Sequence, residues 1–356
     1  MTNSSDDKLL ATAEIVLQKW KGSCARDHRL TFASVQARRE GNGLLVEGEI
    51  LNESMHDDLL AVLRLRLPGV ALEDALCILM TRAARAAVKR AVTSIRQAPD
   101  EHSPLLTQAL FGEELSILKV HEGWAFVRAA MDGYLGWAPV HAVVEQSYFT
   151  PPDHFVQLPF LRAYLAAESK RVVGILPFGV RVAVFGRQGE WRSVVCPDGT
   201  QWWIEAAGLK AIDSRPLPAK EDAETALDAM GDLVGTPYLW GGRSTFGFDC
   251  SGFSQTFMSC LGIGILRDAD MQAGQGQRVE GPRRPGDLLF FGRTGYEANG
   301  VERAGGVNHV AISLGGDEFI HAASAVLGAA YGSLDSGLVN SDPDLRARFM
   351  GARRYF

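Results

Sequence analysis

The chain has 356 residues but only five cysteines, Cys24, Cys77, Cys196, Cys250 and Cys260, and they follow no paired spacing. That excludes a disulfide framework, and a reactive thiol among them suits a reducing compartment. No CxxC or HxxxH spacing occurs, so a structural zinc site has no support. No stretch is long and apolar enough to span a membrane. The amino-terminal segment MTNSSDDKLLATAEIVLQKW lacks a basic start, a long apolar run and a small-residue cleavage site, so it does not read as a secretory signal. The net charge is −6, which argues against a nucleic-acid partner. The one basic run, Arg82, Arg85, Lys89 and Arg90, reads as the solvated face of a linker helix. Together these absences lead to the expectation of a cytoplasmic protein with no membrane or nucleic-acid partner.

What is present is concentrated near the carboxyl end. The segment from Tyr238 to Phe253 reads YLWGGRSTFGFDCSGF. Gly241, Gly242 and Gly247 break regular structure before Asp249. Beyond Cys250 the spacing turns helical, with Phe253, Phe257 and Leu261 on one face and Gly262 as a C-cap. Asp249 is then the N-cap and Cys250 lies in the first turn, where the helix amides favour a thiolate. Ser251 and Gly252 keep that turn small, so a substrate backbone has room to approach. Asp249 opposes the thiolate electrostatically, so it is expected to hold a cationic group.

Two histidines complete a nucleophilic constellation. After Pro285-Gly286-Asp287 come a strand from Leu288 to Phe291, a second from Asn308 to Leu314, a Gly-Gly-Asp turn, and a return strand from Glu318 to Ala322. A hairpin centred near Gly315 sets His309 directly opposite His321 on one face, with Val310, Ile312 and Leu314 on the other. His309 can then serve as the base for Cys250, and His321 can orient it by accepting its second N–H. The bland alternative is a buried inert cysteine beside two unrelated polar residues on an exposed strand.

The motifs GTPYLWGG, FDCSGF, RPGDLLFF, HVAISLG and FIHA, in that order, resemble the NlpC-type cysteine peptidases, with a papain-like core over roughly Ala223 to Arg354. The resemblance implies that Cys250 is the nucleophile, His309 the base and His321 the orienting residue. It implies that Tyr238 and Trp240 line the groove, with Ser251, Arg267 and Asp268 among the substrate-binding residues. The implied reaction is cleavage between the γ-carboxyl of D-glutamate and an L-diamino acid in murein peptides. The sequence departs from the pattern at Arg267-Asp268-Ala269, where close relatives carry a serine that contacts the D-glutamate carboxylate. The Gly-rich segment from Arg293 to Gly306 reads as a loop at the groove.

The upstream chain contains an internal repeat. One unit runs from Ile95 through Phe111-Gly112 and Gly123-Trp124 to the DGYLGW segment ending at Trp137. The second runs from Leu161 through Phe178-Gly179 and Trp191 to the DGTQWW segment ending at Trp203. Short alternating strands with frequent turns argue for two small β-barrels. They resemble bacterial Src-homology-3-type barrels. Aligning the copies sets Glu113 against Val180 and Tyr134 against Thr200, so only the first carries the acid and the phenol. By the same resemblance, Glu113, Tyr134 and Asp249 hold the free amine of an N-terminal L-alanine. Residues Leu30 to Met80 read as strand, strand, amphipathic helix and strand, a small α/β unit.

The fold class expected is therefore α+β, in four parts. Residues 1–90 form the α/β unit with its linker helix. Residues 91–147 and 151–213 form the barrels, Arg215-Pro216-Leu217-Pro218 reads as a linker, and residues 221–356 form the peptidase domain. The expected function is hydrolysis of murein tri- or tetrapeptides with a free N-terminal L-alanine, in cell-wall recycling and without a cofactor. The rivals are an exported cell-wall lysin, a non-catalytic peptidoglycan-peptide-binding protein, and an amidase or acyltransferase on the same fold. Oligomeric state is not legible.

Overall fold

The computed structural model describes residues 4–24, 27–146, 150–212, 218–296 and 302–356. Near the amino terminus, the helices Ser4–Cys24 and Glu53–Arg66 pack on a three-stranded sheet. Ala33–Glu40 pairs antiparallel with Gly43–Ile50, which pairs parallel with Leu72–Ile78. A parallel pair needs a crossover, and the second helix supplies it. Asn52 caps that helix by accepting the Met55 N–H at 3.0 Å. Its stripe of Met55, Leu59 and Leu63 joins Val16, Leu17 and Trp20 in one core, which also takes in Leu118, Phe126 and Leu135 of the first barrel.

The linker helix is not there. Ala84–Val88 is a strand of the first barrel's seven-stranded sheet, between Glu114–His121 and Val143–Glu145. Spacing of the basic residues fits a helical face, but Ala86, Ala87 and Val88 are buried and their backbone completes the sheet. Cross-strand pairing outweighs local propensity here. The first barrel accordingly starts at Ala84 rather than residue 91.

The second barrel consists of a five-stranded and a three-stranded sheet. The repeat read from the sequence is visible in the backbone. Gly112 and Gly179 share φ values of 78° and 82°, and Gly133 and Gly199 share 77° and 82°, conformations that glycine adopts without steric cost. Asp132 accepts the Tyr134 N–H at 3.0 Å, and Asp198 accepts the Thr200 N–H at 3.1 Å, the same side-chain turn in both copies. Leu110 and Phe111 of the first barrel are part of the second barrel's core, so the two are fused.

Of the linker, residues 215–217 lie outside the described residues, and the helix after it spans Lys220–Gly231. The carboxyl-terminal domain packs the helix Cys250–Cys260 on a six-stranded antiparallel sheet. The sheet order is Gln277–Arg278, Phe349–Arg354, Leu288–Tyr296, Glu302–Gly315, Glu318–Ala323 and Gly328–Ser333. Phe253, Phe257 and Met258 meet Leu288, Phe290, Val310, Ile312 and Ile320, and each buried phenylalanine contributes about 2 kcal/mol. Phe178 of the second barrel is buried in this core too. The segment from Arg293 to Gly306 is less of a loop than expected. Its arms extend the hairpin, with Thr294 opposite Ala304 and Tyr296 opposite Glu302, while residues 297–301 lie outside the described residues.

Candidate active site

A cavity of about 500 Å³ lies where the first barrel, the amino-terminal unit and the carboxyl-terminal domain meet. Cys250, His309 and His321 line it together with Tyr134, Tyr238, Trp240, Asp249, Ser251 and Asp268. Cys250 is the first residue of its helix, as the sequence implies, and Asp249 caps it by accepting the Gly252 N–H at 2.6 Å. Being first, the Cys250 N–H has no acceptor within the helix. Of the small first turn, Ser251 lines the cavity while Gly252 serves packing. A Cβ on Gly252 would sit 2.2 Å from the Gly242 carbonyl oxygen, so the glycine lets the helix press against the loop.

The histidines meet, but not by the expected register. Ile312 lies opposite Ile320 and Ser313 opposite Phe319. One step further along, that register brings Ala311 beside His321, so the histidines are diagonal neighbours on the same face. The shift comes from an irregularity at the Gly315 turn. His309 Nε2 and His321 Nδ1 are 2.9 Å apart, with the rings nearly perpendicular at 76°. Phe291 packs against the His309 ring and Phe319 against that of His321. With Nε2 engaged, Nδ1 is the His309 nitrogen available to the thiol, which requires that Nε2 carry the hydrogen and donate it to His321.

Burial dominates the protonation states. It pushes the Cys250 thiol up to about 12, and the Asp249 charge adds to that, while the Val310 N–H, Arg267 and the Ser251 N–H pull the other way. Burial holds His309 well below the ordinary imidazole value, helped by His321 and Arg348. His321 falls to about 4 from burial, against a small opposing pull from Asp342. Burial thus disfavours both a thiolate and an imidazolium, working against the thiolate expected from the helix terminus. Desolvation outweighs the helix amides.

Asp249 does hold a cation, but an internal one. Its Oδ1 accepts from Arg267 at 3.0 Å and from the Ser251 hydroxyl at 3.2 Å; its Oδ2 accepts from Arg267 at 2.7 Å and from the Gly241 N–H at 2.9 Å. Arg267 is 0 % exposed, and its remaining donors reach Ser251, Thr107 of the first barrel and the Gly242 carbonyl. Arg267 is thus behind the cavity wall rather than among the residues that line it. Asp249 has no oxygen left for an amine. Glu113 is also corrected. It pairs with Arg243, accepts the Leu110 N–H at 2.9 Å and does not line the cavity.

The acid that does face the cavity beside Tyr134 is Asp268. The Tyr134 hydroxyl donates to its Oδ2 at 2.9 Å, and its Oδ1 has no hydrogen-bond partner among the described residues. Burial raises the Asp268 carboxyl, opposed by Arg267, Tyr134 and Arg29. Tyr238 also lines the cavity, its phenol pushed up to about 12 by burial first, with the Asp249 charge adding to it. Trp240 is 73 % exposed at the rim. Ala269 lines the wall without offering a hydroxyl. Sequence reasoning missed Arg29, Asp270, Asp342, Asp344 and Arg348, all on the cavity wall. Asp270 follows Arg267-Asp268 by two residues, and Asp342-Pro343 is a helix-start signature, but nothing local marks Arg29.

Residues 235–340 match the model of the NlpC/P60 family, and residues 95–143 match that of the bacterial dipeptidyl-peptidase Sh3 domain. The chain is 30% identical over 225 residues to the gamma-D-glutamyl-L-lysine dipeptidyl-peptidase of Bacillus subtilis (strain 168), covering 60% of this chain and 71% of that protein. It is 27% identical over 266 residues to the protein of the same name from Bacillus cereus, covering 70% of this chain and 75% of that one. A crystal structure of an NlpC/P60 family protein from Bacillus cereus matches with a TM-score of 0.65 at 25% identity, covering 76% of this chain and 99% of the other.

Proposed function

The chain belongs to the NlpC/P60 family of cysteine peptidases, and from that premise we propose that it hydrolyses the γ-D-glutamyl–L-diamino acid bond of murein peptides with a free N-terminal L-alanine. Attack and proton transfer are coupled. As Cys250 Sγ bonds to the γ-carbonyl carbon, its proton passes to His309 Nδ1. His309 Nε2–H holds its bond to His321, which steadies the imidazolium. The carbonyl oxygen becomes an oxyanion facing the Cys250 N–H. His309 then returns the proton to the diamino acid's amine as the C–N bond breaks. Water, giving a proton to His309, hydrolyses the γ-glutamyl thioester and frees the thiol.

The observation that carries the substrate choice is the Tyr134–Asp268 pair beside the nucleophile. A carboxylate with one free oxygen and an adjacent phenol suits an ammonium group through charge-assisted hydrogen bonds. An N-acylated alanine offers no positive charge and adds bulk on that side. Intact peptidoglycan, where the alanine amine is acylated, is therefore a poor fit. Peptides already stripped from the sugar fit well, which supports action in the cytoplasm during murein recycling.

The test is mass spectrometry of products from L-Ala-γ-D-Glu-L-Lys and its N-acetyl form. The free-amine peptide should yield L-Ala-γ-D-Glu and lysine. Asp268→Asn should raise KM for it about tenfold, the size of one lost charge-assisted contact. Equal rates on both peptides, or efficient release of peptides from intact sacculi, would overturn the proposal.

A further inference from the structure

Arg29 belongs to the amino-terminal unit, outside both segments that match family models, yet its side chain ends on the cavity wall. The segment around it is a hydrogen-bonded turn. Asp27 accepts the Leu30 N–H at 3.0 Å and the Thr31 N–H at 2.9 Å through its carbonyl, and the Arg29 N–H at 3.1 Å through Oδ1. The Arg29 carbonyl accepts the Leu135 N–H at 2.8 Å, so the turn is bolted to the first barrel one residue from Tyr134.

Every guanidinium hydrogen is used. Nε donates to Asp27 at 2.8 Å, Nη2 to Asp27 at 2.7 Å and to Asp270 at 2.9 Å, and Nη1 to Asp270 at 2.8 Å and Asp268 at 2.9 Å. With no donor left, Arg29 is not a ligand for a substrate carboxylate. Three carboxylates meet one guanidinium, so the cluster keeps an excess of negative charge suited to one more cation. Asp268 Oδ2 is pinned from two directions, by Arg29 and by the Tyr134 hydroxyl, which leaves Oδ1 as the oxygen for the incoming group.

We propose that Arg29 is a positioning residue for amine recognition: it fixes the Asp268 carboxylate, and so makes the amino-terminal unit a working part of the substrate pocket. This rests on the reading that the Tyr134–Asp268 pair receives the free amine. Two effects of the guanidinium oppose each other. Its charge repels an ammonium, but it orients a half-buried carboxylate and opposes the rise that burial imposes on that carboxyl. The bonds at 2.8–2.9 Å are direct, whereas the repulsion acts through a cation already shared among three acids, so the ordering effect wins.

The experiment is steady-state kinetics on the full chain with L-Ala-γ-D-Glu-L-Lys and its N-acetyl form. Arg29→Gln should raise KM for the free-amine peptide about tenfold while kcat stays within about twofold, the signature of lost binding rather than lost chemistry. Its preference for the free amine should shrink accordingly. Arg29→Lys should recover most of the loss, and thermal unfolding of both variants checks that they fold. An unchanged or lower KM in Arg29→Gln, or a kcat loss shared equally by both peptides and both variants, would overturn the positioning role. A wild type that cuts the two peptides equally well would instead remove the amine reading beneath it, and the role of Arg29 with it.

Discussion

The two sides of the cavity are built in opposite ways. The catalytic side, Cys250, His309 and His321, comes from one helix and one hairpin of one domain, and its histidine pair spans only 12 residues of chain. Burial disfavours formal charge there, pushing the thiol up and both imidazoles down. The other side, Tyr134, Asp268, Asp270 and Arg29, is dense in charge, and its contacts join residues 134 and 239 positions apart. Chemistry here is local and neutral until substrate arrives. Under the proposed function, selection is assembled from three parts of the chain and depends on fixed charge.

The comparison breaks most easily at the nucleophile. Cys250→Ala should abolish turnover, and His309→Ala should lower kcat by about 10²–10⁴-fold, the usual worth of a general acid–base. Cys260→Ala is the control. That thiol is also pushed up to about 12, but it ends the same helix and lines a different cavity, against the second barrel. It should keep near-wild-type activity on the free-amine peptide. Comparable losses at both cysteines would mean that the catalytic side lies elsewhere.

The wall between the two sides gives the next largest effect. Arg267 and Asp249 form a buried ion pair that also ties in Thr107 of the first barrel. Arg267→Met leaves the carboxylate buried without its cation and should destabilise the protein by about 3–5 kcal/mol. Adding Asp249→Asn should return part of that stability, since the uncompensated charge is gone. Denaturant unfolding of the three variants reads this directly. A raised KM with unchanged stability would instead make Arg267 a substrate contact and move it onto the selective side.

The same contrast explains what the sequence disclosed. The nucleophile helix, its Asp249 cap and the histidine hairpin are runs of adjacent residues, so periodicity and turn chemistry expose them. The duplicated barrels were legible through their paired glycines, Gly112 with Gly179 and Gly133 with Gly199. The strand Ala84–Val88 was not, because its reason for existing is a gap in a sheet formed by residues 27–33 and 55–59 positions further on. Arg29 was invisible for a similar cause: its partners Asp268 and Asp270 are brought near only when all three parts dock. Glu113 shows the converse error. Its contrast with Val180 between copies is real, but Arg243, from the catalytic loop, claims the carboxylate.

The smallest effect sharpens the claim that the catalytic side is neutral. An unfolded imidazole titrates near 6.5, whereas folding brings His321 down to about 4 and His309 well below its ordinary value. Between those values the unfolded chain binds more protons than the folded one, so stability is present above about 6.5 and is lost as pH falls toward 4. His321→Asn should flatten that slope by up to one proton while its amide oxygen still accepts the His309 N–H, costing kcat about tenfold or less. Urea unfolding at steps between pH 4.5 and 7.5 measures the slope, and the acid limb of kcat/KM should lie below 6.5 in the wild type. A slope undiminished in His321→Asn, or stability that rises on acidification, would show His321 protonated against Asp342. The catalytic side would then carry charge like its neighbour, and the contrast between the two sides would fail.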